Sequence, residues 1–149
     1  MPKESTTKTF LMLERLTDLA LQKLTVRIAA YNKNVAESNT RHETLVIFHH
    51  QYTSALLQNA HSGIDMEIYQ NYQKFLDGLN ESIRHQSVIT ERYGNELNNF
   101  ILHQRSLHQK KLLYQKLIQK IHHREISTLQ KSEQKLSDSY ALRRIPNTL

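Results

Sequence analysis

The chain has 149 residues, with 38% apolar side chains, 3 Gly, 2 Pro, no Trp, no Cys and a formal net charge of +6. The lack of cysteine excludes a disulfide framework, a thiolate metal site and a cysteine nucleophile, and suits a reducing cytosol. A compact core usually needs nearer half the chain apolar and more glycines to turn corners. So thin an apolar supply with so few breakers points instead to long helices that bury a narrow seam.

The N-terminus, MPKESTTKTF, lacks the basic-then-apolar order of a signal peptide. Apolar runs along the chain stop well short of the roughly 20 residues that span a bilayer. A soluble intracellular protein is expected. Both prolines, Pro2 and Pro146, lie at the ends, so no ring interrupts helical hydrogen bonding between them. The first predicted helix runs over about 6–60, with a loose apolar stripe of Phe10, Leu13, Ala20, Leu24, Ile28, Tyr31, Val35, Leu45, Phe48, Tyr52 and Leu56. Its middle, Ala36–Thr44 (AESNTRHET), is weak and is expected to pack loosely.

The turn falls at about 61–65, where Gly63 can adopt the left-handed conformation that ends a helix and Asp65 can cap the next. The second helix is predicted over about 66–141. Steps of four and three from Tyr72 visit Leu76, Leu79, Ile83, Gln86, Thr90, Tyr93, Leu97, Phe100, Gln104, Leu107, Lys111, Tyr114, Ile118 and Ile121. Eleven of these fifteen positions are apolar or aromatic, which is a coiled-coil seam. A turn between Gly63 and Ile64 pairs residues whose numbers sum to about 127: Tyr52 with Phe75, Phe48 with Leu79, Tyr31 near Leu97, Leu13 with Tyr114. The fold class is therefore all-α, a single domain of two long helices in an antiparallel coiled-coil hairpin. The first helix runs out opposite residues near 120, leaving residues from about 122 to 149 as an overhang and tail. A second helix of this length would extend on the order of 110 Å.

Charge is uneven along the chain. Residues 1–60 carry seven basic and five acidic side chains, residues 61–102 three and six, and residues 103–149 ten and three. The turn end is acidic and aromatic, and the open end is basic. No phosphate-binding loop, dinucleotide-binding turn or HExxH helix occurs. The adjacent pairs His49-His50 and His122-His123 diverge on a helix, and His103 with His108 share no face. His42 and His85 could meet across the hairpin, where two ordinary polar residues are favoured over a metal site. A two-helix rod offers no pocket for serine–histidine–carboxylate catalysis, so no enzyme, metal or cofactor is expected.

Lys110, Lys111, Lys116, Lys120 and Arg124 could line a nucleic-acid phosphate backbone. A solvated helix face and a protein-docking face rank ahead of that reading. Tyr69, Tyr72, Phe75, Leu76 and Leu79 sweep out a wider arc than one seam can cover, so some of these rings must face solvent or a partner. Gly78 sits within that arc, where a small residue would let a partner backbone approach.

The segments LVIFHHQYTSAL (Leu45–Leu56) and NYQKFLDGLNESIRHQ (Asn71–Gln86), joined by a short turn, resemble the corresponding helices of the flagellar type III export protein FliJ family. Chain length, charge polarity and the short tail with Arg143, Arg144 and Pro146 fit as well. The resemblance implies a small antiparallel coiled coil similar to the central stalk of rotary ATPases. Its open end would bind and stimulate the hexameric flagellar export ATPase, here through Lys116, Lys120, Arg124, Lys131, Lys135, Arg143 and Arg144. An exposed surface near the hairpin tip would contact the export-gate membrane protein, at positions matching Leu45, Phe48, Tyr52, Phe75 and Leu79. Phe48 stands where a tyrosine is usual, and Arg41, Ser82 and Gln86 depart from the family pattern. Export chaperones are further implied partners, with no nucleic acid. The implied location is cytoplasmic, at the inner face of the cell membrane and peripheral to it through partners only. A coiled-coil nucleic-acid-binding protein, an injectisome stalk homologue and a self-associating structural spacer are the alternatives.

Overall fold

The computed structural model describes residues 2–144, with side chains from Glu4 onward. It contains two helices, α1 over Pro2–Ser62 and α2 over Met66–Arg143, packed antiparallel as a hairpin. Both extend slightly beyond the bounds expected from sequence. Pro2 is tolerated in the first turn because its missing N–H would have no helical partner there. Pro146 and the rest of the tail lie outside the described residues.

The connection is Gly63–Asp65. Gly63 has φ 86°, the left-handed conformation in which a Cβ is strained, and its N–H donates to the Ala60 carbonyl at 3.4 Å. The Asp65 carbonyl accepts the first α2 bond, from Tyr69 N–H at 2.9 Å. The numerous hydroxyl residues of α1 are accommodated by folding back on the helix itself. Thr9, Thr17, Thr40, Thr44 and Thr53 each donate to the carbonyl four residues earlier.

Every α2 position in the series from Tyr72 to Ile121 is buried or half-buried. On α1 the matching series is stricter than the apolar stripe suggests: Thr17, Leu21, Leu24, Ile28, Tyr31, Val35, Ser38, His42, Leu45, His49, Tyr52 and Leu56. All of these except Tyr52 are buried or half-buried. The buried apolar residues are few, namely Leu21, Leu24, Leu56, Leu79 and Leu107, as expected when only one seam is available.

The helices divide into two compact units. One consists of residues up to Gln22 with those from Arg105 on, and the other of Lys23–Gln104. In the first unit, Phe10 packs on Tyr114 with ring centroids 6.3 Å apart, and Gln115 Nε2 donates to Glu14 at 2.7 Å. Lys111, a polar position within the α2 seam, reaches Asp18 at 2.6 Å. In the second unit, Tyr31 makes edge contacts with Tyr93 at 6.2 Å and Phe100 at 4.9 Å, bracketing Leu97 as the pairing rule expects. Arg27 lies over the Phe100 ring at 5.9 Å. Hydrogen bonding to the Glu96 carboxylate, and the charge of that carboxylate, hold the Tyr31 hydroxyl above its ordinary pKa.

The Lys111–Asp18 contact carries a pH signature. Hydrogen bonding to Asp18 raises the Lys111 pKa in the folded chain. A raised lysine stabilises the fold fully below the unfolded value of about 10.4 and loses that contribution as pH rises through the folded value. Thermal melts of the unaltered chain and Asp18→Asn should therefore differ at neutral pH and converge in strong alkali. A gap that persists there would assign the contact a non-ionic role.

Candidate functional site

Two surfaces stand out, one in each unit. In the Lys23–Gln104 unit, an aromatic patch lies beside the turn. Tyr52 and Phe75 stack across the hairpin with centroids 4.6 Å apart and planes tilted by 55°. Both stay open to solvent, at 41% and 47% exposure, and Phe48 is 46% exposed. The remaining expected patch residues face inward: Leu79 is only 9% exposed and Leu45 is half-buried. Tyr72 and Leu76 also belong to the seam. Phe48 therefore does not fill the seam opposite Leu79, because His49 occupies that heptad position and rotates Phe48 outward. Rings that cannot fit a single seam are left open to solvent, and Ile68, seven residues before Phe75 and so on the same face of α2, is exposed as well.

Gly78 lies on the same arc, and a Cβ built there would meet nothing within 4 Å. The glycine is thus not needed for packing within the hairpin. Gly78→Ala is expected to stabilise the chain by about 0.5–1 kcal/mol through helix propensity, read as a higher melting midpoint. A lower midpoint would reveal a conformational demand at this position.

Three positions at which the chain departs from the family pattern are now placed. Arg41 and Ser82 are exposed, whereas Gln86 turns inward, its Nε2 2.7 Å from Ser38 Oγ and 3.4 Å from the Ser38 carbonyl. The segment Ala36–Thr44, expected to pack loosely, instead contains the most deeply buried polar residue, Ser38, at 3% exposure. His42 is half-buried and His85 exposed. Among the described residues no group of three or more histidines and carboxylates could hold a metal.

The second surface is the end of α2. Thr6 and Ile121 line a crevice together with Arg124 and Glu125, which places the start of α1 opposite this part of α2. From Thr128 to Arg144 every residue is exposed while the helix continues to Arg143. Lys116, Lys120, Arg124, Lys131, Lys135, Arg143 and Arg144 run from the last turns of the α2 seam to its end, and none makes an ion pair within the described residues. All but Lys116 and Lys120 lie beyond Ile121, the last residue of the α2 seam series.

The extension also has an apolar stripe that sequence reasoning missed: Ile126, Leu129, Leu136 and Tyr140, all exposed. Carrying the seam series past Ile121 reaches Glu125, Thr128, Ser132, Lys135 and Ser139, so the stripe lies one position on, about 100° around the helix. Its own spacing of three, seven and four was the available signal.

A family model described as "Flagellar FliJ protein" matches residues 7–148. The chain belongs to the FliJ family. It is accordingly a component of the flagellar protein export apparatus. No curated protein and no solved structure matches the chain. No helix among the described residues of this FliJ-family chain is long and apolar enough to cross a membrane. The FliJ match spans both helices, so the aromatic patch and the basic extension fall within one family unit.

Proposed function

We propose that this chain is the stalk-like component of the flagellar type III export apparatus that binds and stimulates the hexameric export ATPase. The observation that carries this reading is the helical extension beyond Ile121, with an unpartnered apolar stripe set among unpaired cations. A helix end of this kind suits a groove in another protein, where the stripe supplies burial and the cations supply orientation. Glu125, Glu133 and Asp138 interrupt the cations, and the exposed apolar stripe has no use along a phosphate backbone. Both features favour a protein partner over nucleic acid.

The aromatic patch is assigned to the cytoplasmic part of the export-gate membrane protein, through Phe48, Tyr52 and Phe75. Leu45 and Leu79 support these rings from within the seam. Export chaperones are further partners. The chain performs no chemistry in this reading. It resides in the cytoplasm and reaches the inner face of the membrane only through its partners. The test is the rate of ATP hydrolysis by the flagellar export ATPase with and without this chain, and an increase is expected.

A further inference from the structure

One feature of α1 and α2 serves neither proposed surface. At the level of Ser38 the apolar seam gives way to a closed ring of hydrogen bonds. Gln86 Nε2 donates to Ser38 Oγ at 2.7 Å, and Thr90 Oγ1 donates to the main-chain carbonyl of Gln86, four residues earlier in α2, at 2.9 Å. Ser38 Oγ and Thr90 Oγ1 lie 2.7 Å apart. Since the Thr90 proton is already committed, Ser38 donates to Thr90, and each hydroxyl then gives one hydrogen bond and accepts one. Among the described residues no buried side-chain polar atom lacks a partner. Both hydroxyls and the Gln86 amide N–H are thus satisfied by an arrangement in which one short serine from α1 faces a glutamine and a threonine from α2.

We propose that the Ser38–Gln86–Thr90 layer is a pairing lock that holds α1 against α2 in this register and rejects pairing between copies of the chain. Both helices carry long heptad series, and apolar heptads alone discriminate poorly between partners and registers. Pairing α2 with a second α2 out of register would place Gln86 against the apolar residues that dominate that seam, leaving its amide without a partner. A slip of one heptad would likewise leave Ser38 facing the wrong residues. Buried polar layers of this kind specify alignment at some cost in stability.

Register also matters for the aromatic patch, because Tyr52 comes from α1 and Phe75 from α2. One heptad of slip would move them apart by about 10 Å.

The test compares the full chain with the triple variant Ser38→Ala, Gln86→Leu, Thr90→Val, and with the conservative Thr90→Ser. Mass is measured over a hundredfold range of concentration, and thermal melting is followed by helical signal. The lock predicts that the triple variant melts at the same temperature or higher but forms heavier, concentration-dependent species. Thr90→Ser, which keeps the hydroxyl, should retain the mass distribution of the unaltered chain. A folded triple variant with an unchanged mass distribution would overturn the proposal. So would a triple variant that unfolds or melts lower, since the layer would then act through stability and not through pairing.

Discussion

Replacing Tyr52 and Phe75 together with alanine is expected to weaken binding to the cytoplasmic part of the export gate by about tenfold to several hundredfold while leaving the helices folded. The two rings touch each other across the hairpin, yet each keeps over two fifths of its surface in solvent. Removing them costs the hairpin one aromatic contact, about 0.5–1.5 kcal/mol beyond the area that each partly covered ring buries. At a protein interface, by contrast, paired aromatic anchors are typical of the few residues whose truncation costs about 2 kcal/mol or more each. Leu79→Ala provides the contrast. Its side chain is buried between the helices, so about 2–5 kcal/mol of stability should be lost. The matching expectation is a clear fall in melting midpoint for Leu79→Ala and a small one for the aromatic pair. If the double variant binds the gate normally, the patch belongs to another partner. If it unfolds, the rings are core residues despite their exposure.

The hairpin was legible because its two strongest signals are local and periodic. Proline confined to the ends, glycine at the turn and the four-three series of α2 define both helices, and the pairing rule of about 127 follows from Gly63 alone. Tyr52 meeting Phe75, and Tyr31 bracketing Leu97, are direct consequences. The α1 seam was less legible because hydrophobicity is a poor guide where the seam is polar. Thr17, Ser38, His42 and His49 obey the same spacing as Leu24 and Leu56, but an apolar stripe passes over them and takes Phe48 in place of His49. Ser38 shows why: its burial is paid for by hydrogen bonds from α2, which no reading of α1 by itself can reveal.

The candidate surfaces divide in the same manner. An excess of aromatic residues around the turn announced that some must be exposed, whereas which ones face outward depended on the heptad phase of α1. Leu79 lies on both the seam series and the aromatic arc, and its 9% exposure decides that it faces inward. At the other end, the charge imbalance was plain in the sequence, but the apolar stripe was masked because its phase departs from that of the preceding seam.

The decisive measurement is ATP hydrolysis by the hexameric flagellar export ATPase, with the full chain and with a chain ended after Glu125. That cut keeps the residues that line the crevice with Thr6, and removes Ile126, Leu129, Leu136 and Tyr140 together with Lys131, Lys135, Arg143 and Arg144. Everything from Thr128 to Arg144 is exposed, so the shortened hairpin should fold and melt much as before. The account predicts that the full chain stimulates hydrolysis, that stimulation falls off with added salt as cation contacts are screened, and that the shortened chain gives none. Equal stimulation by both chains would move the ATPase contact elsewhere on the hairpin. No stimulation by the full chain, with an ATPase shown to be active, would contradict the stalk assignment itself.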